Sequence, residues 1–171
     1  MLIRREDPAD LVAVRDVIVT AFARPDSTEE PIEAPLLDRL REDPGWIPEL
    51  SLVAADPSGA VVGHVVCTRG QVGAVAAVGL GPIGVRPGRQ NAGIGSALMH
   101  AVLGAADALG EPFVALLGSP AYYSRFGFRP SAQVGIAPPD PQWGEYFQVR
   151  TLTAFTPVTG TFVYAEPFQR L

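Results

Sequence analysis

The stretch Val85-Arg86-Pro87-Gly88-Arg89-Gln90-Asn91-Ala92-Gly93-Ile94-Gly95-Ser96-Ala97-Leu98-Met99 decides the fold. It begins at the end of a β-branched, apolar run and passes through a Pro-Gly turn. It then enters the clearest helix of the chain. There Ile94, Ala97, Leu98, Ala101, Val102, Ala105 and Leu109 recur at helical spacing, and Gly110 supplies the stop. The short apolar run 113–117 follows. Strand, helix and strand in that order imply a parallel pair.

Working outward, hairpins surround this unit. Residues 50–55 and 60–68 are apolar and β-branched, and Asp56-Pro57-Ser58-Gly59 between them is turn chemistry. Residues 74–85 read as a long central strand, with Gly81-Pro82 predicting a bulge. Upstream, Leu2 and Ile3 suggest a first strand. Asp7-Pro8 reads as an N-cap and first helical residue, before Leu11, Val14, Ile18, Ala21 and Phe22 at helical spacing. A polar loop over 24–35 leads to a short helix carrying Leu36, Leu37 and Leu40. Residues 122–126 predict a brief helix stopped by Gly127, and 147–152 and 159–164 predict two last strands. The expected fold is a mixed α/β sheet, formed by one domain over residues 1–171.

Composition narrows the function. The chain has 171 residues, is 47% hydrophobic and 18% charged, and carries a net charge of −5. A domain of that length buries about two-thirds of its unfolded surface without a disulfide or structural metal. All 13 basic residues are arginine. The missing lysine excludes a Schiff-base mechanism and a Walker-type phosphate loop. No basic face suited to nucleic acid is evident. One cysteine, Cys67, cannot form an internal disulfide. The charged start MLIRRED is unlike a signal peptide. The longest uncharged run, 70–85, reads as buried strand and falls short of the ~20 residues of a membrane helix. A cytoplasmic protein is expected, neither membrane-bound nor nucleic-acid-binding. The Arg, Ala, Gly and Pro bias fits a GC-rich bacterial genome.

Three glycine patterns compete for a ligand. Gly79-Leu80-Gly81-Pro82-Ile83-Gly84 matches a dinucleotide fingerprint, but that fingerprint must open a helix, and Val85-Arg86-Pro87-Gly88 follows. The glycines of residues 88–93 have Walker A spacing, yet Ile94-Gly95 stands where Lys-Ser/Thr is required. The third pattern, Gln90-Asn91-Ala92-Gly93-Ile94-Gly95-Ser96, lies between a strand and the best helix. Such a loop aims backbone N–H groups and the positive helix end in one direction, which suits a diphosphate. Arg86 and Arg89 add positive charge nearby. A glycine-rich turn that merely starts a helix would look the same.

The segment VRPGRQNAGIGSALM resembles the coenzyme A signature of the GNAT N-acetyltransferase superfamily, with Gln90, Gly93 and Gly95 at its defining positions. PAYYSRFGFRP resembles that family's tyrosine-containing segment, and IRREDPADLVAVRDVIVTAF its first strand and helix. The similarity covers most of residues 2–129. It implies a mostly antiparallel sheet whose fourth and fifth strands are parallel and splay apart, flanked by helices, with the pantetheine arm of the coenzyme in the gap. By the same resemblance Ile83 and Val85 offer backbone groups to pantetheine, Gln90, Asn91, Ala92, Gly93, Ile94, Gly95 and Ser96 hold the pyrophosphate, and Tyr123 sits near the thioester sulfur. The implied activity is acetyl transfer from acetyl-CoA to a primary amine by direct attack in a ternary complex. A coenzyme-binding module without catalysis and a transferase of longer acyl groups are the alternatives. Monomer and homodimer are both open.

The residue types suit that chemistry. The attacking amine needs a base or a desolvated pocket, the oxyanion needs fixed N–H donors, and the leaving thiolate needs an acid. Tyr123 is the candidate acid. The base stays open between His64, Glu33 and a water, because residues 74–85 contain no carboxylate. Asp26, Glu29 and Glu30 lie in the loop bordering the acceptor site in this superfamily. Ser119 stands where similar sequences often carry Asp. Cys67, flanked by Val65, Val66 and Thr68, reads as a buried inert thiol. His64 and His100 with one cysteine do not make a metal site. Trp46, Trp143 and Tyr146 pack the core or line the acceptor cleft.

Overall fold

The computed structural model describes residues 1–171. Strand β1 (Leu2–Arg5) is followed by a 3-10 turn, Pro8–Asp10, and helix α1 (Leu11–Phe22). Asp7 caps that turn: its carboxylate accepts from the Ala9 N–H at 2.9 Å, while Asp10 accepts from the Asp7 N–H at 2.7 Å. The buried face of α1 is Val14, Val17 and Ile18; Leu11 is exposed. Helix α2 (Glu33–Glu42) starts two residues before the end of the expected loop. Pro35 is accepted because the N–H it lacks, in the first turn, has no helical partner anyway.

Strand β2 (Trp46–Ala55) starts earlier than residue 50, with its register broken between Trp46 and Ser51, where Pro48 cannot donate to a ladder. The turn to β3 (Val61–Val72) is the expected one. Asp56 Oδ1 accepts from the Ser58 N–H at 2.9 Å, and Gly59 takes φ 87°. The run 70–85 is not one strand. Val72 pairs with Val75 across a two-residue turn at Gly73-Ala74, with Gly73 at φ 57°, so β3 and β4 (Val75–Val85) form a second hairpin.

Helix α3 (Ile94–Ala108) buries Ile94, Leu98, Met99, Val102, Leu103 and Ala106. The stripe is thus rotated from the expected one, and Leu109 is exposed beyond the helix end. Strand β5 (Phe113–Leu117), helix α4 (Pro120–Tyr123) and a 3-10 turn over Ser124–Phe126 follow, ended by Gly127 at φ 83°. Short strands β6 (Arg129–Pro130) and β7 (Ile136–Ala137), then β8 (Phe147–Thr151) and β9 (Gly160–Val163), complete the chain.

The sheet order is β1-β2-β3-β4-β5-β8-β6, with β9 on β3 and β7 on β9. Only β4–β5 and β7–β9 are parallel. Strand β3 is buried along nearly its whole length because both sheet faces are covered. On one face α3 packs on Leu52, Val65, Cys67 and Val78; on the other α1 and α2 pack on Val53, Val61 and Val66. A third cluster, built on Phe113, Phe147, Phe162 and Tyr164, fills the C-terminal half. No helix is long and apolar enough to cross a membrane.

Candidate active site

The site begins where two parallel strands part. Strands β4 and β5 are paired only at Val78–Val114 and Gly79–Ala115. Beyond that point β4 carries the expected bulge. Val65 and Cys67 on β3 face Ile83 and Leu80, so one extra residue is accommodated on β4 around Gly81-Pro82. The bulge bends β4 away from β5 and leaves a gap between them.

One cleft, of about 550 Å³, runs from the end of β4 at Ile83 and Val85 to the start of α3. Ile83, Val85, Gln90, Asn91, Gly93, Ile94, Gly95, Ser96 and Tyr123 all line it; Ala92 does not. Asn91 and Gly93 both have left-handed backbones, at φ 59° and 84°. The first helical bond of α3 runs from the Ala97 N–H to the Gly93 carbonyl at 3.0 Å. The N–H groups of Ile94, Gly95 and Ser96 are therefore spare at a helix N-terminus, where an anion is favoured. The Gln90 amide donates to the Val85 carbonyl at 3.1 Å and ties the loop to the strand end.

The positive charge is arranged differently from expectation. Arg86 turns away, donating to the Val61 carbonyl at 2.9 Å and to Asp16 at 2.6 Å. Arg89 lines the cleft but shares its charge with Asp56 at 3.2 Å. Arg125, which sequence reasoning passed over, lines it as well. Its guanidinium lies over the Tyr122 ring at 4.6 Å, and its Nε donates to the Tyr122 carbonyl at 2.9 Å. The available signal was an arginine two residues after the tyrosine pair.

A second cleft, of about 740 Å³, takes in the gap itself, with Leu80 and Gly81 of β4 and Leu116 and Leu117 of β5 in its lining, and shares Phe22, Ile83 and Tyr123 with the first. Tyr123 is half-buried at this junction, with its ring edge-on to Tyr122 at 4.9 Å and Phe128 at 6.0 Å. Burial, helped by Tyr122, raises its pKa above the ordinary phenol value. Tyr123 thus keeps its proton at neutral pH.

The base candidates separate. His64 lines neither cleft. It is fully buried, with Nε2 2.9 Å from Ser51 Oγ and 3.4 Å from Glu6. Glu33, the first residue of α2, lines the second cleft, as do Asp140 and Trp143. Glu30 is paired with Arg15 at 2.6 Å. Trp46 lies against Arg41, and Tyr146 is exposed; neither lines a cleft. Cys67 is fully buried, and desolvation pushes its thiol far above the usual range. Two glycines of β4 make room for side chains rather than for a ligand. A Cβ on Gly79 would stand 2.6 Å from the Tyr164 ring, and one on Gly84 would stand 3.1 Å from Ala21.

Known proteins share the family and the fold. Residues 3–131 match the family described as "Acetyltransferase (GNAT) domain". The uncharacterized N-acetyltransferase YhbS of Escherichia coli (strain K12) is 34% identical over 174 residues, covering 99% of both chains. The crystal structure of E. coli YhbS in complex with CoA superposes with a TM-score of 0.89 at 33% identity, covering 99% of this chain and 92% of that one. A GNAT family acetyltransferase from Brucella melitensis in complex with acetyl-CoA gives a TM-score of 0.78 at 32% identity, covering 98% and 97%.

Proposed function

The chain belongs to the GNAT acetyltransferase family, and on that premise we propose that residues 1–171 form one N-acetyltransferase domain that moves the acetyl group of acetyl-CoA directly to a primary amine. The observation that carries this reading is the meeting of two clefts at Tyr123, one ending at a helix N-terminus and the other apolar. In this reading the pyrophosphate lies on the N–H groups at Gly93, Ile94, Gly95 and Ser96, with Arg89 and Arg125 beside it. Pantetheine follows Ile83 and Val85 into the gap, and the thioester stops at Tyr123.

The reaction needs little from the protein beyond position and charge. The amine lone pair attacks the thioester carbonyl carbon, and the carbonyl oxygen gains the negative charge. Backbone N–H groups on the bulged part of β4 are suited to hold that oxygen. The carbon–sulfur bond then breaks, the Tyr123 hydroxyl gives its proton to the departing thiolate, and the surplus proton of the acylated nitrogen returns to Tyr123. An ammonium has a pKa near ~10, so the amine must first lose a proton. In this reading Glu33 in the second cleft takes it, directly or through water. His64 is buried and lines neither cleft. The buried thiol of Cys67 argues against an acyl-cysteine intermediate.

The test combines calorimetry with turnover. Acetyl-CoA should bind with micromolar affinity, on the order of −8 kcal/mol. Release of free CoA should depend on added amine, and the intact mass of the enzyme should stay unmodified. Tight binding without turnover of any amine in a broad panel would identify a binding module. An acetylated Cys67 would overturn direct transfer.

A further inference from the structure

The second cleft has an unusual balance of charge and apolar surface. Its accessible apolar walls include Ile32, Leu117, Trp143, Val163 and Phe168, and 14 of its 21 lining residues are hydrophobic. The charged side chains among them are the carboxylates of Glu33 and Asp140. Both residues are partly buried, and neither is paired with an arginine. No arginine or histidine lines this cleft, and the chain has no lysine.

Resting on the acetyl-transfer reading above, we propose that the acceptor is an arylalkylamine: an amine with an aromatic body and no acid group of its own. A volume of about 740 Å³ lies within the range of small-molecule sites. The aromatic body displaces water from the apolar wall. The protonated amine is drawn in by the two side-chain carboxylates. A free amino acid carries the same body and amine but adds a carboxylate one carbon from the reacting nitrogen. That carboxylate enters a cleft with no cation to meet it and two like charges already present, which is costly. A phosphorylated amine fails for the same reason. An aliphatic diamine satisfies the charge but leaves a second ammonium against the apolar wall.

Matched substrates test this. Phenethylamine against phenylalanine, and tryptamine against tryptophan, differ only by the carboxylate. With saturating acetyl-CoA, kcat/KM for each arylalkylamine should exceed that of its amino acid on the order of 100-fold, and should also exceed that of putrescine. In Asp140→Asn, which keeps the side-chain oxygen that accepts from the Gln142 N–H at 2.8 Å, the phenethylamine-to-phenylalanine ratio should fall severalfold. This ratio is independent of how much enzyme is folded. A wild-type ratio near one, faster turnover of putrescine, or an unchanged ratio in Asp140→Asn overturns the substrate class and leaves acetyl transfer standing. Binding of acetyl-CoA by calorimetry with no turnover of any amine overturns both readings.

Discussion

Gly118 leaves open the space that the Tyr123 ring fills: a β-carbon on Gly118 would overlap the ring's Cε2 and stand 2.9 Å from Cδ2. The backbone there has little freedom to yield. The Gly118 N–H donates to the Tyr146 carbonyl at 2.9 Å, and the Gly118 carbonyl accepts from the Gln148 amide at 2.9 Å. Gly118→Ala should therefore displace Tyr123 rather than the strand end. Misplacement of a reacting group by about 1 Å costs on the order of 100-fold. A fall of at least tenfold in kcat is expected, with coenzyme affinity measured by calorimetry within about threefold of wild type. Wild-type kcat would mean that the position of Tyr123 does not matter.

The coenzyme loop gives a different failure. A Cβ on Gly93 meets nothing within 4 Å, but its φ of 84° is strained for any other L-residue by about 1–2 kcal/mol. A Cβ on Gly95 comes 3.5 Å from the Tyr122 hydroxyl, and a larger side chain there closes the cleft. The double variant Gly93→Val/Gly95→Val should lose calorimetrically detectable coenzyme binding while far-UV circular dichroism stays that of the folded protein. Retained affinity would remove the anion site from this loop.

The buried group around His64 predicts an acid-sensitive fold. Burial lowers the pKa of His64, with the neighbouring Glu6 partly opposing. For Glu6 burial raises the pKa, but hydrogen bonds from His64, Ser51 and Arg41 outweigh it and the net shift is downward. Both groups bind protons more tightly when unfolded. Stability is then full above the unfolded histidine pKa of about 6.5 and falls as pH drops below it, first through His64 and then through Glu6. The midpoint of thermal unfolding should decline from pH 7 to pH 4. His64→Gln should flatten the upper part of that decline near pH 6. A midpoint independent of pH over this range would contradict the assignment.

The central elements were legible in the sequence because their signals are local. Asp56 and Gly59 specify a turn by their own chemistry, and Gly81-Pro82 cannot continue a regular ladder, so the hairpin and the bulge were both expected. The loop at residues 90–96 was legible because glycines, spare N–H groups and a helix start coincide there. Other features depend on tertiary contacts. The Gly73-Ala74 turn is hidden in an uncharged run, since Gly-Ala is a weaker turn signal than Asn-Gly. The rotation of the α3 stripe follows from how the sheet face meets it, and alanines at residues 97, 101 and 105 fit either side of a helix. The partner of Arg86 is Asp16, 70 residues away, and no local pattern announces that pairing. The same holds for Gly118, whose role lies in the shape of a ring five residues later.

The central claim is that both clefts serve one reaction ending at Tyr123, and the most direct test is Tyr123→Phe with Tyr122→Phe as its control. Each change removes a hydroxyl and keeps the ring that packs the junction. General acid help of this kind contributes about 10²–10⁴-fold. For Tyr123→Phe the kcat for acetyl transfer should fall at least tenfold with coenzyme affinity nearly unchanged, while Tyr122→Phe should lose little of either. An unchanged kcat in Tyr123→Phe, or the larger loss in Tyr122→Phe, would contradict the account.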